Sequence, residues 1–405
     1  MRRRHLVAIV LAALALAPLA GCGDGGGGGD ASGTPSGGRV ATIGVIAPTT
    51  GDLSPFGLGI VNSVDLAVAQ ANESGAVPGW TLRVAVENDL ATPGTGKDAA
   101  TSLAAEPEVV AVVGTVSSAV AQAVQPVLAD ADIAMVSPAN TSTALTRGQD
   151  YASDPKRPFA NYFRTCATDA TQGPVAARYL EKAGVTTVVT VDDGQVYGKD
   201  LVAAFTKAYE QLGGTVAGSH SVGADDTSFD PVIDKLKSSP PGAVYFGGEY
   251  PQIAPFTQQL TDSGVDVPVM GGDAMYASQY IELAGSTAHG DLATSVGAPA
   301  ESLKSAKPFV DAYADGGYSE PAEAYGPFAY DAANAIIRAL EKSLADADTV
   351  KDARKPTVEA LADVSFDGAT GKVAFDEYGD TTNPVVTVYE VRDGAWQTKQ
   401  TVPGS

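Results

Sequence analysis

The sequence predicts two α/β lobes, each a doubly wound parallel sheet, joined by a hinge of several strands. Three observations carry this. From Val40 onward, short apolar runs alternate with segments of helical periodicity. The alternation occurs in two successive runs of similar plan. The body, about residues 40–402, has a length that suits two domains. Strand–helix alternation at this spacing means parallel sheets with helices on both faces.

The first run opens with a strand over 40–47. A helix over 57–75 follows, with Ile60, Val64, Ala67, Val68 and Ala71 on one face and Gly75 as its stop. Next come a strand over 82–86, a helix over 96–105, a strand over 109–114, a helix over 118–130 and a strand over 133–137. Residues 161–166 are strand-like. The second run repeats the plan, with helices over 171–183, 197–212, 229–237 and 252–263. Its strands fall at 185–191, 215–222, 243–247 and 267–271. The tail has helices over 300–313, 322–345 and 356–362, then strands over 371–375, 384–391 and 395–401. Asp393-Gly394 is a hairpin turn signal between the last two. These late elements must complete the lobes, so the chain crosses between them more than once. The expected division is 40–166 with 297–385 for the first lobe and 167–296 with 386–405 for the second.

The N-terminus reads as an export signal. Met1-Arg2-Arg3-Arg4 precedes an apolar run from Leu6 to Leu19, and Leu19-Ala20-Gly21-Cys22 closes it. The apolar run falls short of the ~20 residues of a spanning helix. A positive end, a short apolar run, small residues and a Cys are the order of a lipoprotein signal. Residues 1–21 are therefore expected to be the signal peptide, with Cys22 lipidated. Residues 22–39, rich in Gly, form a flexible linker with a reach of roughly 20–25 Å. The expected location is extracytoplasmic, lipid-anchored to the cell membrane.

Composition narrows the function. A net charge of −22 argues against nucleic acid and anionic membrane surfaces as partners. With Cys22 lipidated, Cys166 stands alone, a small buried side chain with no disulfide partner. No Gly-x-Ser-x-Gly elbow occurs, and the three His are scattered. Gly57-Leu58-Gly59-Ile60-Val61-Asn62 lacks the third Gly of a dinucleotide site, and Gly96-Lys97-Asp98 lacks the flanks of a P-loop. Asp346, Asp348 and Asp352 have neither the Gly nor the Glu of a calcium loop and read as a solvated cluster ending a helix. No enzyme activity, cofactor or metal is expected.

What remains are polar groups at the carboxyl ends of strands, where open α/β sheets bind ligands. Thr115-Val116-Ser117-Ser118 opens a helix whose hydroxyls and free N–H groups suit a carboxylate. Taken alone, it is equally an ordinary helix cap. Ser137-Pro138-Ala139-Asn140-Thr141 ends the next strand. In the second run, Asp192 to Gly198, Gly247-Gly248-Glu249-Tyr250 and Gly271-Gly272-Asp273 end strands and offer acids or aromatics beside Gly. An Asp or Glu there suits a ligand ammonium.

At these residues the chain resembles the leucine/isoleucine/valine-binding proteins, substrate receptors of ABC importers with the type I periplasmic-binding fold. The markers are Ile43-Gly44-Val45 with Thr50-Gly51, Val113-Gly114, Ser137-Pro138-Ala139 and Phe163-Arg164-Thr165. Asp169 to Pro174, Tyr197-Gly198, Tyr245 to Gly248 and Met270-Gly271 continue them. The resemblance implies that Ser118 binds the ligand α-carboxylate. It implies that Ala139, by its backbone, and Thr141 reach both carboxylate and ammonium. Asp273 falls where the family has an acid that pairs with the ammonium. Phe56 and Tyr197 match aromatic positions around the ligand side chain.

There are departures. Glu249 stands where relatives often have an aromatic, and two nearby acids, Glu249 and Asp273, repel unless one is protonated or a cation lies between them. That implies either a ligand with extra positive charge or a protein partner for Glu249. Thr92 and Ser117 stand where some relatives carry a disulfide, and 151–158 looks like an added surface loop. The expected function is an extracytoplasmic receptor for an amino acid, branched-chain or a related polar or cationic one. It would work as a monomer that delivers its ligand to an ABC permease. A lipoprotein sensor and a receptor for urea or short amides are alternatives on the same fold, and a secreted hydrolase is a third reading.

Overall fold

A computed structural model describes residues 39–403. The expected signal peptide, the expected lipidation at Cys22 and the expected linker all fall before residue 39, outside the described residues.

The first lobe is built on β1 (Arg39–Ala47), α1 (Ser54–Ser74), β2 (Trp80–Asn88), α2 (Pro93–Ala105) and β3 (Val109–Gly114). It continues with α3 (Ser118–Asp130), β4 (Ala134–Ser137), the short α4 (Ala144–Arg147) and β5 (Tyr162–Arg164). The five strands form one parallel sheet in the order β2-β1-β3-β4-β5. The central strands read as nearly unbroken apolar runs because helices cover both faces: every residue of β3 and β4 is buried.

The second lobe runs through α5 (Asp169–Lys182), β6 (Thr187–Asp192), α6 (Val196–Gln211), β7 (Thr215–Ser221), α7 (Asp230–Ser238) and β8 (Ala243–Gly247). Then come α8 (Tyr250–Asp262), β9 (Val269–Gly271), α9 (Ser278–Ala284) and β10 (Leu292–Ser295). The chain returns to the first lobe with α10 (Lys307–Asp315), α11 (Gly326–Ser343), α12 (Val350–Ala362) and the hairpin β11 (Ser365–Gly368) and β12 (Gly371–Ala374). It ends in the second lobe with β13 (Val385–Arg392) and β14 (Ala395–Pro403). The second sheet has the order β14-β13-β10-β9-β8-β6-β7, parallel except for its antiparallel β13 and β14. The lobes are linked by three passages, after β5, after β10 and before β13. The Asp393-Gly394 turn has positive φ at both residues, 53° and 74°, as a tight hairpin requires.

Several elements depart from the sequence reading. The helix expected at 300–313 is a single 3-10 turn, Ala300–Ser302, followed by α10; Pro308 suits only the first turn of a helix, and α10 starts there. The helix expected at 356–362 begins six residues earlier, and Pro356 lies inside it. Thr349 and Asp352 form a reciprocal capping box at its start, so Asp352 begins a helix instead of ending one. β10 and β11 are four-residue strands that carried no signal of their own. Cys166 is fully buried.

A buried ionic cluster ties the first passage to the third. Arg164 is 0% exposed and meets Asp380 at 2.8 Å as an ion pair. Arg147 adds contacts to Asp380 at 2.8 Å and Asp376 at 2.9 Å. Burial would push the Asp380 carboxyl up, but Arg164 and Arg147 together hold it below the usual carboxylate range.

Candidate functional site

The ends of β3 and β4 form the first-lobe wall. Asn140 binds the turn that leads into α3: its Nδ2 donates to Val116 O at 2.9 Å, and its Oδ1 accepts from Thr115 N–H at 3.3 Å. Ser137 Oγ accepts from Ala139 N–H (3.2 Å) and Asn140 N–H (2.9 Å), which shapes the loop after β4. Ser118 Oγ accepts from Ser142 N–H at 3.4 Å. Arg164 donates to the carbonyls of Asn140 (2.7 Å) and Ser142 (2.9 Å), so Thr141 is held between two pinned residues. Thr141 Oγ1 and Asp169 Oδ2 are both buried without a hydrogen-bond partner. The Thr141 hydroxyl nevertheless acts on the Asp169 carboxyl, pulling it down against the rise that burial imposes, so the two buried groups are neighbours.

The second-lobe wall centres on Asp273, just after β9. It is 1% exposed and accepts three hydrogen bonds. They come from Gln172 Nε2 (2.8 Å), Tyr197 Oη (2.9 Å) and Tyr325 Oη (2.7 Å). Burial pushes the Asp273 carboxyl up against the opposing pull of those bonds. Tyr325 precedes α11 in the first lobe, so its bond to Asp273 crosses the cleft. Tyr250 Oη donates to the Asp52 carbonyl, and Ser142 Oγ donates to Asp200, both also across the cleft. The rings of Tyr250 and Tyr325 pack edge-on against Phe56, at 5.5 Å and 4.9 Å. The lobes are closed on each other.

Glu249 precedes α8, is partly buried and lines the cleft. Its carboxyl is pushed up to about 8, first by burial and then by Asp193, Asp89 and Asp273. No basic residue is among the groups acting on it. Burial also raises Asp89 and Asp193, each to about 6. Glu249 and Asp273 line the cleft, with Asp89 and Asp193 buried near enough to act on Glu249, and among the described residues no ion pair answers Glu249.

The cavity between the walls measures about 10 Å³, room for about one water. An amino acid enters only when the lobes part. Ser117, Ser118, Ala139, Tyr197, Glu249 and Asp273 line it, together with Val116, Ala274 and Tyr325. Phe56 and Thr141 are not in its wall: Phe56 is packed between two tyrosines and Thr141 is buried in the loop after β4. Sequence reasoning missed Tyr325, which reaches the cleft only because the chain returns to the first lobe. It also gave no role to Gln172 or Asp169, although both lie in the quoted run from Asp169 to Pro174.

Chemically, the cleft has two unlike ends. The start of α3, with Ser117 and Ser118, offers hydroxyls and the positive pole of a helix, which suit an anion. Asp273 and its neighbours suit a cation. A zwitterion matches both.

Two α/β lobes that close on a polar cleft define a solute-binding receptor. The chain belongs to the periplasmic binding protein family, whose sequence profile matches residues 40–395. Family membership puts the body outside the cytoplasm, and among the described residues no helix is long and apolar enough to cross a membrane. The chain is 31% identical over 397 residues to a Leu/Ile/Val-binding protein of Rhizobium johnstonii, covering 97% of this chain and 98% of that protein. It is 30% identical to a leucine-, isoleucine-, valine-, threonine- and alanine-binding protein of Pseudomonas aeruginosa, over 88% of this chain and 91% of that one. Among solved structures, a leucine-binding protein of Thermotoga maritima superposes with a TM-score of 0.79 at 26% identity, covering 89% of this chain and 98% of that one.

Proposed function

We propose that the protein is the substrate receptor of an ABC importer and binds an amino acid between its lobes. The single observation that carries this is the pairing of a helix N-terminus at Ser118 with the triply bonded Asp273 across one closing cleft. The ligand carboxylate binds Ser118, the Ala139 backbone and Thr141; the ammonium binds Asp273. Tyr197 and Phe56 bound the side-chain end. The names of the relatives support a branched-chain or similar amino acid. Glu249, without a protein cation, favours a ligand whose side chain carries a donor or a positive charge.

The lobes correspond to 40–166 with 297–385 and 167–296 with 386–405. Ligand binding favours the closed state, because only there do both walls touch it. The closed receptor then delivers its ligand to a membrane permease, and the protein performs no catalysis. Lipidation at Cys22 keeps a monomeric receptor close to that permease. Thermal melts of the body with each of the amino acids test the reading. At least one raises the melting temperature, and Asp273→Ala removes the rise. No rise with any amino acid overturns it.

A further inference from the structure

A second cavity, of about 470 Å³, lies between the lobes away from the cleft lined by Asp273. Its size is that of a small-molecule site. The second lobe supplies Tyr276, Tyr389 and Trp396, and the first supplies Phe328. The aromatics are fixed: Tyr276 stacks on Tyr389 at 4.0 Å, and Trp396 Nε1 donates to Ala277 O at 2.8 Å. Three carboxylates complete the lining, Glu282 from the second lobe and Glu301 and Glu323 from the segment that follows β10 into the first. Glu323 accepts from Ser278 Oγ (3.2 Å) and Gln279 Nε2 (3.3 Å) of the opposite lobe. No Lys, Arg or His lines the cavity.

Fixed aromatic faces beside uncompensated carboxylates attract an organic cation, through cation–π and Coulomb attraction together. An anion would meet three like charges, and a neutral apolar molecule would leave those negative charges uncompensated. We propose that this cavity is a second ligand site, for a small organic cation such as a primary or quaternary amine. The site stands whether or not the interlobe cleft takes an amino acid.

The chain has two Trp, and only Trp396 lines the cavity; Trp80 lies in β2. Labelling with 5-fluorotryptophan therefore gives one reporter in the site and one outside it, assigned with Trp396→Phe. Tetramethylammonium and benzylammonium are titrated to about 10 mM, where even a millimolar site fills. Sodium chloride and benzyl alcohol are the controls. The Trp396 resonance shifts saturably with the amines alone while the Trp80 resonance stays fixed. Glu301→Gln with Glu323→Gln weakens the response about ten-fold. Asp273→Ala leaves it intact, which separates this site from the cleft. Four results overturn the proposal: no saturable shift of Trp396, an equal shift with benzyl alcohol, an unchanged response in the double Gln variant, or loss of the response in Asp273→Ala.

Discussion

Arg164→Met removes the guanidinium that holds the site loop. Arg164 is fully buried, pairs with Asp380 and satisfies the carbonyls of Asn140 and Ser142. Breaking a buried ion pair costs about 3–5 kcal/mol. Asp380 keeps Arg147, so the lower end applies, about 3 kcal/mol. Each carbonyl left without its donor adds about 1 kcal/mol or more. The total is about 5 kcal/mol. Unfolding entropy of about 2.1 cal/mol/K per residue, over roughly 365 residues, converts that to about 6–7 °C in melting temperature. Calorimetric melts of Arg164→Met, Asp380→Asn and the double variant measure it. The double variant costs less than the sum of the singles by about 1–3 kcal/mol, because the pair is coupled. The acid limb moves as well. Asp380 has a depressed pKa, so its contribution is present above the ordinary carboxylate range and lost as pH falls through its lowered value. Without Arg164 that loss begins at higher pH. A melting temperature within about 1 °C of the parent, or strict additivity in the double variant, refutes the reasoning.

Two further changes probe the cleft. Tyr325→Phe deletes a hydrogen bond to Asp273 that exists only when the lobes meet; ligand affinity falls about ten-fold, mostly through faster release, measured by stopped-flow and calorimetry. Glu249 has a raised pKa, about 8 against 4.5, so its contribution to the ligand-free closed form is full below about 4.5 and fades as pH rises to about 8. Glu249→Gln stays neutral, so its melting temperature falls less than the parent's between pH 6 and 8.

The legible parts of the fold were those with local cause. β3 and the core of β1 are apolar throughout because helices cover both sheet faces, and α1 ends at Gly75, whose φ of 63° suits glycine. Ser118 and Asp273 were readable because both follow strands. β10 was not, since Leu292–Ser295 is a four-residue, half-polar strand held by its neighbours β9 and β13. α12 hid its start because Pro356 suggested a boundary, while the capping box at Thr349 set the true one. Tyr325 joins Asp273 from 52 residues away in sequence and from the opposite lobe. The nearness of Glu249 to Asp273 was legible in the sequence, but Asp193 and the first-lobe Asp89 join them only in three dimensions.

The central claim is that a zwitterion spans Ser118 and Asp273. Titration calorimetry of the body with leucine, isoleucine, valine and basic and polar amino acids tests it most directly. The account predicts saturable one-to-one binding of at least one of them, weakened at least about a hundred-fold by Asp273→Ala, the loss of a buried charged pair. Tight binding that survives Asp273→Ala and Ser118→Ala unchanged would contradict it.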